Sequence, residues 1–207
     1  MLVKTLAFVV GAYLFGSIPN AYLLGRWLRG IDLRKVGSGN VGGSNLHRTV
    51  GAWATIVIGL IDIAKGALPV WLASRTGQPQ TTAILSGLAA TAGHDWPPWL
   101  SFQGGRGMAC TLGVLLLLFP VGVAWVLGLM AVGAIVRCVA LLHGLAVVTL
   151  PLLSLGLGRP AAINLTNLAL AGLMIVKRIE ANQGLDALKP EQRGVWTNRL
   201  LYDRDRR

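Results

Sequence analysis

Two glycine-rich segments carry the residue types that could hold a phosphate: GSGNVGGSNLHR at 37–48 and GHDWPPWLSFQGGRG at 93–107. In the first, Gly37, Gly39, Gly42 and Gly43 let a ligand approach the main chain and allow left-handed dihedrals that turn consecutive amides inward. Ser38, Asn40, Ser44 and Asn45 add hydroxyl and amide donors, and Arg48 adds a planar fork suited to phosphate oxygens. In the second, Gly104, Gly105 and Gly107 surround Arg106 as another candidate amide nest, just ahead of an expected helix whose N terminus favours an anion. His94, in company with Arg106, could serve as acid, base or phosphate donor, or simply as a hydrogen-bonder at a helix end. The alternative for the first loop is a tight turn whose polar groups satisfy one another. A nucleotide P-loop is excluded, because the GxxxxGK[ST] order is missing and no βαβ pattern surrounds the glycines.

Asp62 and Lys65 stand three apart inside the apolar run GLIDIAKGALPV. Two charges in hydrocarbon are costly unless they face the bundle interior or a polar cavity. They could pair with each other, or Lys65 could meet a phosphate while Asp62 orients it. His47 is expected at the headgroups, and His143, with no companion ligands, as a packing or interhelical hydrogen-bonding residue.

These residues need elements to hold them, and composition says which kind. The chain has 207 residues, 54% hydrophobic against 13% charged, with a mean hydropathy of +0.61. A water-exposed surface wants roughly 25 to 35% charged side chains, so the chain reads as an integral membrane protein of one domain, 1–207. Its formal charge of +11 does not form a basic stripe on a polar domain, so nucleic acid is not expected and the charge is a topology signal. Two cysteines, Cys110 and Cys138, lie in apolar sequence as small hydrophobes, leaving neither a disulfide framework nor a zinc site.

About 20 apolar residues cross the hydrocarbon layer, and the sequence predicts spans at 4–24, 52–73, 80–98, 108–119, 121–136, 140–156 and 161–176. The first is read as a retained helix rather than a cleaved signal. Pro120 separates the fourth and fifth, because proline lacks an amide donor and clashes with the preceding turn. The basic segment 25–51, then Arg106, Arg137 and the tail 177–207, fall on one side only with seven crossings. The positive-inside bias makes that side cytoplasmic, with the N terminus outside. The expected fold is therefore an all-α polytopic bundle of about seven transmembrane helices with a cytoplasmic C terminus. Both glycine-rich loops open on its cytoplasmic face.

The ordered motifs GSIPNAYLLG at 16–25, GSGNVGGSNLHR at 37–48, DIAKG at 62–66 and GHDWPPWLSFQGGRG at 93–107 resemble the bacterial acyl-phosphate-dependent glycerol-3-phosphate acyltransferase family, the PlsY family. The resemblance implies a plasma-membrane enzyme of phospholipid synthesis that moves a fatty acyl group from acyl phosphate to the 1-hydroxyl of glycerol 3-phosphate. It implies no metal, no cofactor, and no acyl-CoA or acyl-carrier-protein donor. By resemblance, Ser38 and Arg48 match phosphate-contacting positions, Asn40 and Asn45 a polar frame, and Lys65 the lysine of the second motif. Gly93 and His94 match the opening of the third motif. Arg106 stands where the family usually has a lysine, as does Gln103, and Cys110 where threonine is common. Segment 174–187, MIVKRIEANQGLDA, departs from the family's usual ending, which carries a histidine and an asparagine before an arginine and a Gly-x-Glu.

An acyl phosphate is already activated, so orientation and preorganised cations supply much of what the reaction needs. Arg48, Lys65 and Arg106 form the electrostatic set, with Ser38, Asn40 and Asn45 as positioning donors. The base is either His94 or a substrate phosphate oxygen. The other classes are a catalytically weakened paralogue and a non-enzymatic transporter or lipid-binding protein, since polar interiors and broken helices occur in transporters too. Membrane lipids are the expected surroundings, and no obligate protein partner is evident.

Overall fold

The computed structural model describes residues 1–180. The part of the predicted tail beyond Glu180 lies outside them. Among the described residues the chain is all helical: α1 Leu2–Gly16, α2 Asn20–Arg29, α3 Gly43–Thr49, α4 Ala52–Arg75, α5 Gln80–Asp95, α6 Met108–Leu118, α7 Pro120–Ile135, α8 Val139–Gly156 and α9 Ala161–Glu180, with a 3₁₀ turn at Pro98–Leu100. Four segments are long and apolar enough to cross a membrane: Leu2–Arg29, Ala52–Arg75, Val139–Gly156 and Ala161–Glu180. Met108–Leu118 and Pro120–Ile135 are shorter apolar helices.

The outer surface is built as hydrocarbon requires. Ile56, Leu60, Leu152, Leu155, Leu165 and Leu168 are all strongly exposed, while Asp62, Lys65, Asp95 and Arg106 are buried. That inversion of the soluble pattern follows from the high cost of a charge in lipid. Inside, glycines bring helices together. A methyl at Gly66 would strike the carbonyl oxygen of Cys110, and one at Gly113 would strike that of Ile63, so α4 and α6 meet backbone to backbone. This contact holds the helix that carries Asp62 and Lys65.

The predicted first span differs from the fold. It is two helices, because Gly16-Ser17-Ile18-Pro19 breaks it: Pro19 cannot donate an amide hydrogen and disfavours helical dihedrals at Ile18. The break leaves carbonyl groups without helical partners, and one of them becomes part of the site. The predicted 30–51 loop also contains a helix, α3. The turn at Pro120 is present, with Phe119 buried beneath it and Pro120 at the first position of α7. The tail was expected to begin at 177, but α9 continues to Glu180, with Lys177 and Arg178 buried against protein.

Contacts sort the connections into two ends. The Arg159 guanidinium lies 5.8 Å from the centre of the Phe119 ring, bringing the α8–α9 connection to the α6–α7 turn. At the opposite end, Arg178 donates to the Ala140 carbonyl at 2.8 Å and lies 3.4 Å from His143 Nδ1. His143 is thus an interhelical contact between α8 and α9.

Candidate functional site

The site begins at the break between α1 and α2. Lys65, on the inner face of α4 and 2% exposed, donates from Nζ to the carbonyl oxygen of Ile18, which the break leaves outside the helical ladder. Asp62, one turn earlier, sits 3.3 Å from the same Nζ. His94, from the last turn of α5, brings Nδ1 to 3.6 Å from Asp62 Oδ1, within ion-pair reach when the ring is protonated. Two helices, α4 and α5, and the α1–α2 break therefore bring together a lysine, a carboxylate, an imidazole and the Ile18 carbonyl. The i,i+3 pair expected from the sequence is present, and a third partner joins it.

The 93–107 loop closes over His94. The Gly104 amide donates to the Asp95 carbonyl at 3.2 Å and that of Gly105 to the His94 carbonyl at 3.1 Å. A methyl on Gly105 would strike the imidazole itself. Two side chains bolt the start of this loop to α1 and the break after it: the Tyr13 hydroxyl donates to the Trp96 carbonyl at 2.6 Å, and Trp99 Nε1 donates to Ser17 Oγ at 2.8 Å. A small polar cleft of about 10 Å³, near the volume of one water, runs between Ser17, Asn20, Val41, Asp62, His94 and Gly105. It brings the break, the first loop, α4 and the 93–107 loop to one place.

The first loop folds around Asn45, which is fully buried. Its side-chain oxygen accepts the Ser38 amide at 3.2 Å, and its Nδ2 faces the carbonyls of Leu33, Val36 and Asn40 at 2.9 to 3.0 Å. The expectation that Asn45 donates to a ligand is corrected by these contacts: its amide hydrogens are already held by loop carbonyls, and it is the frame of the turn. Gly37 and Gly39 have φ of +57° and +74°, the left-handed conformations that such a turn demands. Asn40 is different. It is 4% exposed, and its Oδ1 has no hydrogen-bond partner among the described residues.

Arg48 is exposed on the last turn of α3 and makes no ion pair among the described residues, as does neighbouring His47. Arg106, by contrast, is 5% exposed. The two arginines grouped from sequence thus occupy unlike places, one at the surface and one inside. Arg34 is held by Asp32 through two hydrogen bonds of 3.0 and 2.8 Å. Those bonds hold the Asp32 carboxyl below the usual aspartate range, so the pair loosens only as pH falls through that lowered value.

Sequence reasoning missed three participants. The Ile18 carbonyl was signalled by Pro19, overlooked inside an apolar run. Ser17 was hidden in the same run. Asp95 is fully buried beside His94, and its carboxylate lies against Gly107 at the start of α6, the helix end expected to favour an external anion. A second buried charge adjoining a histidine in GHDW was the available signal.

A helical membrane bundle with an enclosed lysine, carboxylate and imidazole beside two glycine loops defines a class: a membrane-embedded protein that handles anionic substrates. Residues 6–185 match the family described as glycerol-3-phosphate acyltransferase. A glycerol-3-phosphate acyltransferase of Synechococcus sp. (strain CC9902) is 44% identical over 183 residues, covering 88% of this chain and 91% of its own. One from Dehalococcoides mccartyi (strain ATCC BAA-2266 / KCTC 15142 / 195) is 36% identical over 202 residues, covering 95% and 87%. The crystal structure of PlsY, an integral membrane glycerol 3-phosphate acyltransferase, in its glycerol 3-phosphate form matches with a TM-score of 0.78 and 30% identity over 86% of this chain and 89% of that one. The chain belongs to the glycerol-3-phosphate acyltransferase family, and it is an acyltransferase of lipid biosynthesis.

Proposed function

We propose that the chain transfers a fatty acyl group from acyl phosphate to the 1-hydroxyl of glycerol 3-phosphate, releasing 1-acyl-glycerol 3-phosphate and inorganic phosphate. The observation that carries the donor assignment is the meeting of two environments on one pair of helices. The polar cluster includes Ile18 and Lys65, while an apolar groove of about 510 Å³ runs along the same α1 and α4 between Phe8, Gly11, Phe15, Leu68, Trp71 and Leu72. Phe15 is three residues from Ile18, and Leu68 three from Lys65. An acyl phosphate has that polarity: a charged head for the cluster and a chain for the groove.

In the reaction the acceptor oxygen attacks the acyl carbon, the carbon–oxygen bond to phosphate breaks, and phosphate leaves with both bonding electrons. Lys65, Arg106 and Arg48 neutralise phosphate charge, Ser38 and the amides of Gly37, Gly42 and Gly107 position oxygens, and the open Asn40 oxygen accepts from a substrate hydroxyl. The amides of Gly39, Gly104 and Gly105, expected from sequence to do the same, are instead held by the carbonyls of Val36, Asp95 and His94. Either His94 or a phosphate oxygen takes the hydroxyl proton. Purified protein in lipid vesicles, given radiolabelled glycerol 3-phosphate and palmitoyl phosphate, is expected to form labelled lysophosphatidic acid. The palmitoyl coenzyme A thioester should form none, and equal product from it would remove the acyl phosphate assignment.

The groove reading gives its own prediction. A methyl at Gly11 meets nothing within 4 Å and Gly11 lines the groove, so a leucine there extends into the groove rather than into packed backbone. Leaving two or three methylenes of the substrate unburied costs about 2 kcal/mol at ~0.8 kcal/mol each, roughly thirtyfold. Gly11→Leu should lower kcat/KM for a sixteen-carbon acyl phosphate by about that factor and leave an eight-carbon one near wild type. A uniform change across chain lengths would put the chain elsewhere.

The same reading makes this a bacterial plasma-membrane protein with seven crossings, its site facing the cytoplasm and its N terminus outside. The support is the positive-inside bias of segment 25–51, Arg106 and Arg137. Membrane-impermeant labelling should reach cysteines introduced in 34–46 and 184–194 only from the cytoplasmic side, and one beside Arg75 only from outside. A C-terminal segment labelled from outside would overturn seven crossings.

A further inference from the structure

The last turn of α9 reaches back to the 96–107 loop at two points, Trp96 and Phe102. Lys177 is 1% exposed, donates from Nζ to the Phe102 carbonyl at 3.3 Å, and sits 5.3 Å from the centre of the Trp96 ring. Glu180, one turn on, accepts the Trp96 indole hydrogen at 2.5 Å. Arg178 anchors the same turn from its other side through Ala140 and His143, so the platform is fixed independently of the loop. What it grips is an unfavourable conformation: Ser101 and Phe102, neither a glycine, have φ of +53° and +63°. Such dihedrals persist only where surrounding structure over-determines them. Four residues past Phe102 comes Arg106. Beneath the loop, the fully buried carboxylate of Asp95, the last residue of α5, lies against Gly107.

We propose that Lys177 is a positioning residue for acyl transfer: by holding the Phe102 carbonyl it fixes the left-handed turn at Ser101–Phe102, and that turn sets where Gly104, Gly105 and Arg106 stand over His94. A lysine with its amine enclosed by a carbonyl and an aromatic face is costly to bury, and a helix needing only to dock would be served by an apolar residue. Lys177 touches no reacting atom in this assignment. It acts through the loop, and the assignment rests on the substrate reading above for its consequence in binding.

The test uses the full chain in lipid vesicles, with Lys177→Met, Lys177→Arg and the double variant Lys177→Met with Asp95→Asn. A nitroxide on Gln103→Cys, in a background lacking Cys138, reports loop mobility without any substrate. Equilibrium binding of labelled glycerol 3-phosphate and the KM for palmitoyl phosphate report the consequence. The expected result is a mobilised label in Lys177→Met, at least tenfold weaker binding of one of the two phosphate substrates, and both restored to within threefold by Lys177→Arg. The double variant should regain thermal stability yet keep the mobile label and weak binding. An unchanged label in Lys177→Met overturns the proposal whether or not the wild type turns over. A mobile label with unaltered binding reduces Lys177 to a structural residue and also overturns it. Recovery of binding in the double variant would mean that charge balance was all that mattered, again against it. Failure of the substrate reading is separately visible, as a wild-type protein with no acyl transfer and an intact, immobile label.

Discussion

Lys65→Met is expected to lower acyl transfer by at least a hundredfold and to loosen the bundle as well. The ammonium is enclosed between Asp62 and the Ile18 carbonyl, so methionine leaves both without their donor. Breaking a buried pair costs roughly 3 to 5 kcal/mol, with His94 as the remaining partner of Asp62 keeping the loss toward the lower end. The catalytic share is separate: removing one preorganised donor from a site of developing charge typically costs about 10²- to 10³-fold in rate. The two contributions part in Asp62→Asn with Lys65→Met, where no unpaired carboxylate remains. That protein should melt near the wild type and still fail to turn over. Near-native turnover in the stable double variant, at both low and saturating glycerol 3-phosphate, would make Lys65 a structural partner only.

Gly104→Ala should be nearly as damaging, though it adds one carbon and no charge. The new methyl would fall against the His94 carbonyl oxygen and Pro97 Cδ, and 2.6 Å from the Asp95 carbonyl oxygen. None of these is the free end of a flexible side chain, so the loop must lift from the end of α5. Lifting breaks the Gly104 and Gly105 hydrogen bonds to α5 and carries Arg106 away with them. Overpacking of this kind costs about 1 to 3 kcal/mol, so the protein should still fold, while turnover drops by at least a hundredfold through displaced donors. Melting temperature and kcat/KM on one preparation check this. Alanine at Gly11, where a methyl meets nothing, is the control expected to change neither.

These two residues mark what could be read from sequence. Asp62 and Lys65 were legible because charges three apart in an apolar run have few destinations, and Gly104 because glycines around an arginine suggest a main-chain turn. The Pro120 turn was legible for the same local reason: a missing amide is a property of the residue itself. The break at Ser17–Pro19 was equally local, yet the hydrophobicity of the run on either side concealed it, and with it the carbonyl that receives Lys65. Other features depended on distance in the chain. Lys65 meets a residue 47 positions away, Lys177 one 75 away, and Trp96 one 84 away, and no spacing rule connects them. Asn45 shows a third limit. Its type suggested a ligand donor, but only the fold reveals that three carbonyls of its own loop face its amide.

The central claim, that this cluster transfers an acyl group from acyl phosphate to glycerol 3-phosphate, is tested most directly by measuring inorganic phosphate and lysophosphatidic acid together from palmitoyl phosphate, with and without the acceptor. The account predicts phosphate release only when glycerol 3-phosphate is present, one phosphate for each lysophosphatidic acid formed, and both at least a hundredfold slower in Lys65→Met. Phosphate released at the same rate without the acceptor, or acceptor consumed with no phosphate released, would contradict it.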